Sequence, residues 1–90
     1  MSSNEKSLYL LTTLGCSLCQ KAKLEIYPAL SATGLQLVEV EITDHAHLIA
    51  LFADKIPVVT LAPASTITSR TQVLEWPFDS LQVQQLCLQR

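Results

Sequence analysis

Between Ser7 and Ile42 the spacing of apolar residues changes period twice, and this restricts the fold more than any other feature of the chain. Ser7 to Thr13 is a short apolar run with Tyr9 and two threonines, bounded by Gly15, and reads as a buried strand. From Ser17 to about Ser31, Leu18, Ala22, Ile26 and Leu30 recur every fourth position among polar residues, and Thr33-Gly34 follows as a stop. That spacing predicts a helix. Pro28 falls in its last turns, removes a backbone donor and predicts a kink or an end near Tyr27. Leu35, Leu37, Val38, Val40 and Ile42 then interleave with Gln36, Glu39 and Glu41, the pattern of a strand with one better-buried face. A strand, a helix and a strand in this order form a βαβ unit, whose two strands run parallel through a right-handed crossover.

The remainder extends that unit. Thr43 or Asp44 is read as the cap of a short helix carrying Leu48, Ile49, Leu51 and Phe52, which Ile56-Pro57 closes. Val58, Val59 and Leu61 make a third strand. Ala62 to Arg70 is a polar connection, expected to be the least ordered piece, and Thr71 to Trp76 is the third strand's antiparallel partner. Pro77-Phe78 breaks the pattern. Asp79 or Ser80 caps a last helix with Leu81, Val83, Leu86 and Leu88 as its buried stripe and Arg90 near its negative pole. The order is βαβαββα, and 90 residues leave room for a single domain spanning 1–90.

Composition removes several function classes. Hydrophobic residues make up 49% and charged residues 16% of the chain, which excludes a disordered or acidic-tail character. A formal net charge of -2 gives no electrostatic reason to expect nucleic acid as partner. No run approaches the ~18 apolar residues of a membrane helix, so no membrane partner is expected. Met1 to Lys6, with Glu5 beside its only base, reads poorly as a secretory signal. The expected compartment is a reducing cytoplasm, where a close cysteine pair is more often catalytic or metal-binding than a permanent bridge.

Cys16-Ser17-Leu18-Cys19 stands where the first strand hands over to the first helix. Cys16 is then at the helix N-terminus and Cys19 one turn on, so their sulfurs can meet. Orphan N–H groups and the helix dipole favour a thiolate there. Cys16 is the natural attacker of a substrate disulfide, and Cys19 resolves the mixed disulfide by attacking Cys16. Gly15 removes side-chain bulk where another backbone must come close. The bland alternative, two cysteines packed as small hydrophobes, fits the spacing but not its position at a strand-to-helix junction.

With these residues in place the chain resembles the thioredoxin-like superfamily, and within it the small glutaredoxin-like proteins. The resemblance spans Thr12 to Cys19, Ile56-Pro57-Val58 and Glu75-Trp76-Pro77-Phe78 before the last helix. It implies a thioredoxin-like α/β fold with a four-stranded mixed sheet of order 2-1-3-4, flanked by helices. It also implies thiol-disulfide oxidoreductase activity and a cis Ile56–Pro57 peptide facing the cysteines, with the Ile56 backbone offered to an extended substrate segment. Lys55 is a candidate for attracting a thiolate or a substrate carboxylate. Asp79 is a candidate receiver of the glutathione amino group, with a plain N-cap role as the commoner use. Thioredoxins carry Gly-Pro and glutathione-binding glutaredoxins Pro-Tyr between the cysteines, where this chain has Ser17-Leu18. The expected partners are protein or low-molecular-weight thiols and disulfides, with no bound cofactor, glutathione as a possible co-substrate and a monomeric chain.

His45 and His47 raise a rival, since with Cys16 and Cys19 they make the four ligands of a closed zinc site. On a helix the two histidines sit ~200° apart and cannot reach one ion, so they are read as surface residues and no metal is assigned. Cys87 is read as a packed small residue, and Trp76 and Phe78 as packing the last helix onto the sheet. The alternative function is a thioredoxin-fold binding or adaptor module without turnover, or a protein holding a metal or iron–sulfur cluster through the same cysteines, the cluster needing extra thiolates.

Overall fold

In the computed structural model, which describes residues 7–89, β1 (Ser7–Thr12) is an inner strand because it is apolar on both faces. Leu8 and Leu10 enter one core, and Leu11, with Tyr9 packed beside it, enters the other. β1 pairs in parallel with β2 (Gln36–Glu41) and antiparallel with β3 (Val58–Thr60), and β4 (Leu74–Glu75) pairs antiparallel with β3. The sheet order is β2-β1-β3-β4, and with three helices the chain has the thioredoxin-like α/β arrangement.

The two faces divide the helices. α1 (Ser17–Thr33) and α3 (Ser80–Cys87) cover Leu8, Leu10 and Val59 with Ala22, Ile26, Ala29, Val83, Leu86 and Cys87. α2 (Ala46–Phe52) covers Leu11 and Val58 with Leu48 and Phe52. Each large apolar side chain fully buried in these layers contributes roughly 1.5–3 kcal/mol. Phe78 is buried in the first core, with the Trp76 ring edge-on to it at 5.1 Å.

Several local expectations are corrected. Pro28 does not end α1, which runs on to Thr33 and closes on Gly34, whose φ of 75° is left-handed and whose N–H donates to the Leu30 carbonyl at 2.8 Å. Leu24 and Pro28 are both exposed, so the donor that proline removes is missing on the solvent side of the helix, where a missing donor costs least. Neither Thr43 nor Asp44 caps α2. Glu41 engages the Thr43 N–H and hydroxyl at 3.1 and 3.0 Å, which holds Ile42–Asp44 in a 3-10 turn and leaves His45 at the N-cap.

β4 is two residues long rather than Thr71–Trp76. The buried Thr60 hydroxyl donates to the Gln72 carbonyl at 2.8 Å, so a side chain replaces the ladder there. The connection from Ala62 to Arg70 carries a 3-10 turn at Ala64–Thr66 and buries Ile67 in the second core. In α3 the buried face is Val83, Leu86 and Cys87, whereas Leu81 and Leu88 are each 61% exposed. Leu81 and Leu88 lie ~160° and ~140° around the helix from Val83, on its far side. The expectations for Met1–Lys6 and Arg90 lie outside the described residues.

Candidate active site

The parallel β1–β2 pair and the antiparallel β1–β3 pair bring three segments to one end of the sheet. Thr12 is opposite Glu41, and Leu11 is opposite Val58, the residue after Pro57. The Thr13–Cys16 loop, the Ile56–Pro57 segment and the turn after β2 therefore meet where α1 begins. The Ile56–Pro57 and Trp76–Pro77 peptides are both cis, and the Trp76 N–H donates to the Pro57 carbonyl at 3.0 Å.

Cys16 is the N-cap of α1, in extended conformation with φ -88° and ψ 103°. Its Sγ accepts the Cys19 N–H at 3.1 Å, one of the donors a helix start leaves without an internal partner. The two cysteines are joined as a disulfide, with Cα atoms 5.3 Å apart. Cys16 is partly exposed and Cys19 only 1% exposed, so the pair presents one sulfur outward and keeps the other beneath it. The first turn of α1 holds no acidic residue to oppose a thiolate.

Gly15 is required for its backbone. Its φ is +78°, a region that costs an L-residue energy, while a Cβ built there meets nothing within 4 Å. Its neighbours Leu14, 92% exposed, and Leu18 give the rim of the site an apolar character. Beside this loop lies a cleft of about 250 Å³ lined by Thr12, Thr13, Leu14, Gly15, Gln20, Glu39 and Glu41.

Glu41 is a site residue that hydrophobic patterning passed over. One carboxylate oxygen accepts the Leu14 N–H at 3.0 Å and the other accepts both groups of Thr43, so Glu41 ties the cysteine loop to the end of β2. A hydrogen bond from the Thr13 side chain, followed by that from the Thr43 backbone, holds its pKa below the usual 4.5. The available signal was topological: a parallel β1–β2 pair sets the last residue of β2 against the loop that leaves β1.

Asp79 is the N-cap of α3. Its Oδ1 accepts the Gln82 N–H at 2.8 Å, and Gln82 Oε1 accepts the Asp79 N–H at 3.0 Å, completing a capping box. Glu25, also unmarked by sequence reasoning, reaches across from α1 to accept the Ser80 N–H at 3.0 Å. Lys55 is exposed, 4.0 Å from Asp54, and lines a different cleft with Leu51, Phe52, Thr68 and Glu75 that contains neither cysteine. The ring centroids of His45 and His47 are 5.9 Å apart, and His47 Nε2 meets the Ala64 carbonyl at 3.0 Å. Among the described residues no three of His, Cys, Asp and Glu group as metal ligands, and no helix is long and apolar enough to cross a membrane.

Comparison with known proteins agrees with this architecture. The family model for the glutaredoxin-like domain (DUF836) matches residues 7–87. No curated protein matches the chain. Among solved structures, the X-ray structure of the Northeast Structural Genomics target protein XcR50 from X. campestris is 24% identical, with a TM-score of 0.64 over 93% of this chain and 99% of that one. At that identity the likeness concerns the fold. The chain belongs to the glutaredoxin-like domain family.

Proposed function

We propose that the chain is a thiol-disulfide oxidoreductase that cycles between a Cys16/Cys19 dithiol and the Cys16–Cys19 disulfide. One observation carries the reading: a partly exposed Cys16 caps a helix while a buried Cys19, one turn on, is bonded to it. In the reduced protein the Cys19 N–H and the positive end of α1 favour a thiolate on Cys16. That thiolate attacks one sulfur of a substrate disulfide, forming a mixed disulfide and expelling one substrate thiolate. The Cys19 thiolate then attacks the Cys16 sulfur, closing the internal disulfide and releasing the second substrate thiolate. Two electrons pass from protein to substrate, and an external dithiol restores the reduced pair.

Gly15 gives the loop its turn, and the Ile56 backbone beside Pro57 is offered to an extended segment of the substrate in the manner of an added strand. Substrates are protein or low-molecular-weight disulfides, handled by a monomer without bound cofactor in a reducing cytoplasm. The test is mass spectrometry after alkylation across a series of thiol-disulfide buffers. A reversible loss of two hydrogens confined to Cys16 and Cys19 is the expected result. Cys16→Ser abolishes turnover, and Cys19→Ser accumulates a mixed disulfide on Cys16. A pair that stays reduced in every buffer, or a Cys16→Ser variant that still turns over, refutes the reading.

A further inference from the structure

The loop that carries Cys16 is held by hydrogen bonds more than by packing. Leu14 is 92% exposed, Gly15 and Ser17 are exposed, and a Cβ at Gly15 would meet nothing within 4 Å. Glu41 supplies the hold. One carboxylate oxygen accepts the Leu14 N–H at 3.0 Å, and the other accepts the Thr43 N–H and hydroxyl at 3.1 and 3.0 Å. The Thr13 side chain bonds the same carboxylate. β2 pairs with β1 from Ser7 opposite Gln36 to Thr12 opposite Glu41, so this carboxylate is mounted on the sheet.

Leu14 is joined to Cys16 through Gly15 alone, the residue type with the most backbone freedom. Cys19, by contrast, is 1% exposed within α1. The pair therefore links a sulfur sheltered in a packed helix to one at the end of a loop that a single carboxylate braces. While the disulfide is closed, the covalent bond itself fixes Cys16. Once it opens, what keeps Cys16 near Cys19 is the brace, together with the Cys19 N–H that meets its Sγ at 3.1 Å.

Closure is a displacement. The Cys19 thiolate attacks the Cys16 sulfur, the bond between them forms as the bond from Cys16 to the substrate breaks, and the substrate leaves as a thiolate. Its equilibrium and rate rise with the effective concentration of one sulfur at the other. The charge of Glu41 acts in the same direction, since a carboxylate near Cys16 disfavours the thiolate of the open form. Glu39, which lines the same cleft, is compensated by Lys23 at 2.9 Å, and Lys21 is exposed on α1, where water and salt screen it.

On the redox reading above, we infer that Glu41 is a positioning residue for the cysteine pair: by tying Thr13 and Leu14 to the end of β2 it keeps Cys16 at Cys19 and shifts the dithiol–disulfide equilibrium toward the closed disulfide.

The equilibrium constant for closure tests this, titrated in graded dithiothreitol and glutathione buffers at pH 7 and read by alkylation and intact mass. Glu41→Ala is expected to lower the constant about tenfold, a rise of about 30 mV in reduction potential. Glu41→Gln keeps the reach and one acceptor oxygen and lowers it less, by about threefold, or ~14 mV. Val83→Ala weakens the core under α3, a cluster that neither Cys16 nor Cys19 joins, and leaves the constant unchanged, which separates positioning from a general loss of stability. Should Glu41→Ala fail to fold, Glu41→Gln decides. A constant that the Glu41 variants leave unchanged or raise, or that Val83→Ala lowers equally, overturns this inference and leaves the redox reading standing. A wild-type pair that stays reduced in every buffer overturns both.

Discussion

Replacing Asp79 by Ala separates the two roles that its position suggests. The side chain accepts the Gln82 N–H at 2.8 Å and sits at an exposed helix end, so its loss costs a cap and leaves no cavity. An N-cap aspartate replaced by alanine costs about 1 kcal/mol, with a range of ~0.5–2. The return bond from Gln82 to the Asp79 N–H loses its geometric partner, which favours the upper half of that range. For a domain of this size about 1 kcal/mol lowers Tm by ~4–8 °C. Asp79→Asn retains the cap and loses only the charge at the helix start, a cost of a few tenths of a kcal/mol at an exposed site. Thermal and urea denaturation followed by far-ultraviolet circular dichroism measure both variants. A capping role gives a large loss for Ala and a small one for Asn. Equal stability of all three proteins refutes the capping account.

Other outcomes follow from the same contacts. Glu41 has a folded-state pKa below its unfolded value, so its stabilising contribution is present above pH ~4.5 and is lost as pH falls through the lower folded value; Tm measured against pH should show an acid limb that flattens in Glu41→Gln, and amide exchange at Leu14 should quicken over the same range. Gly15→Ala meets no neighbour but must adopt φ near +78°, so it should cost about 1 kcal/mol in chemical denaturation and Gly15→Asn less. In α3, Val83→Ala removes buried methyl groups and should cost about 2 kcal/mol. Leu81→Ala, on the exposed face, should stay within ~0.5 kcal/mol, and equal losses from the two would refute the assignment of the buried face.

The sequence was most legible where one period dominates. The βαβ unit is written in the spacing of Leu8 to Ile42, whereas the sheet order came with the family resemblance, because one parallel pair and one antiparallel pair leave open which strands adjoin. Cys16 and Cys19 were found because their spacing and their place at a strand-to-helix junction are both local features of the chain. Legibility fell where side chains replaced backbone pairing. Thr60 draws Gln72 out of the β4 ladder, and Glu41 takes the Thr43 groups that would otherwise start α2. Both are long-range or turn contacts that leave no periodic trace. Glu25 was illegible for the same reason: its partner is Ser80, and the pair exists only because α1 and α3 pack on one face of the sheet. The stripe of α3 was misread because Leu81 and Leu88 are apolar but lie opposite Val83, where Cys87 completes the buried face.

The central claim is that Cys16 is the reachable, ionised sulfur and Cys19 the sheltered one. Competitive alkylation of the fully reduced protein with limiting iodoacetamide, resolved by peptide mass spectrometry between pH 5 and 9, tests it directly. The account predicts modification of Cys16 well ahead of Cys19, with a rate already near its plateau at pH 7, below the ordinary thiol range of about 8.5. Modification of Cys19 first, or of both at the rate and pH dependence of an unstructured cysteine peptide, contradicts it.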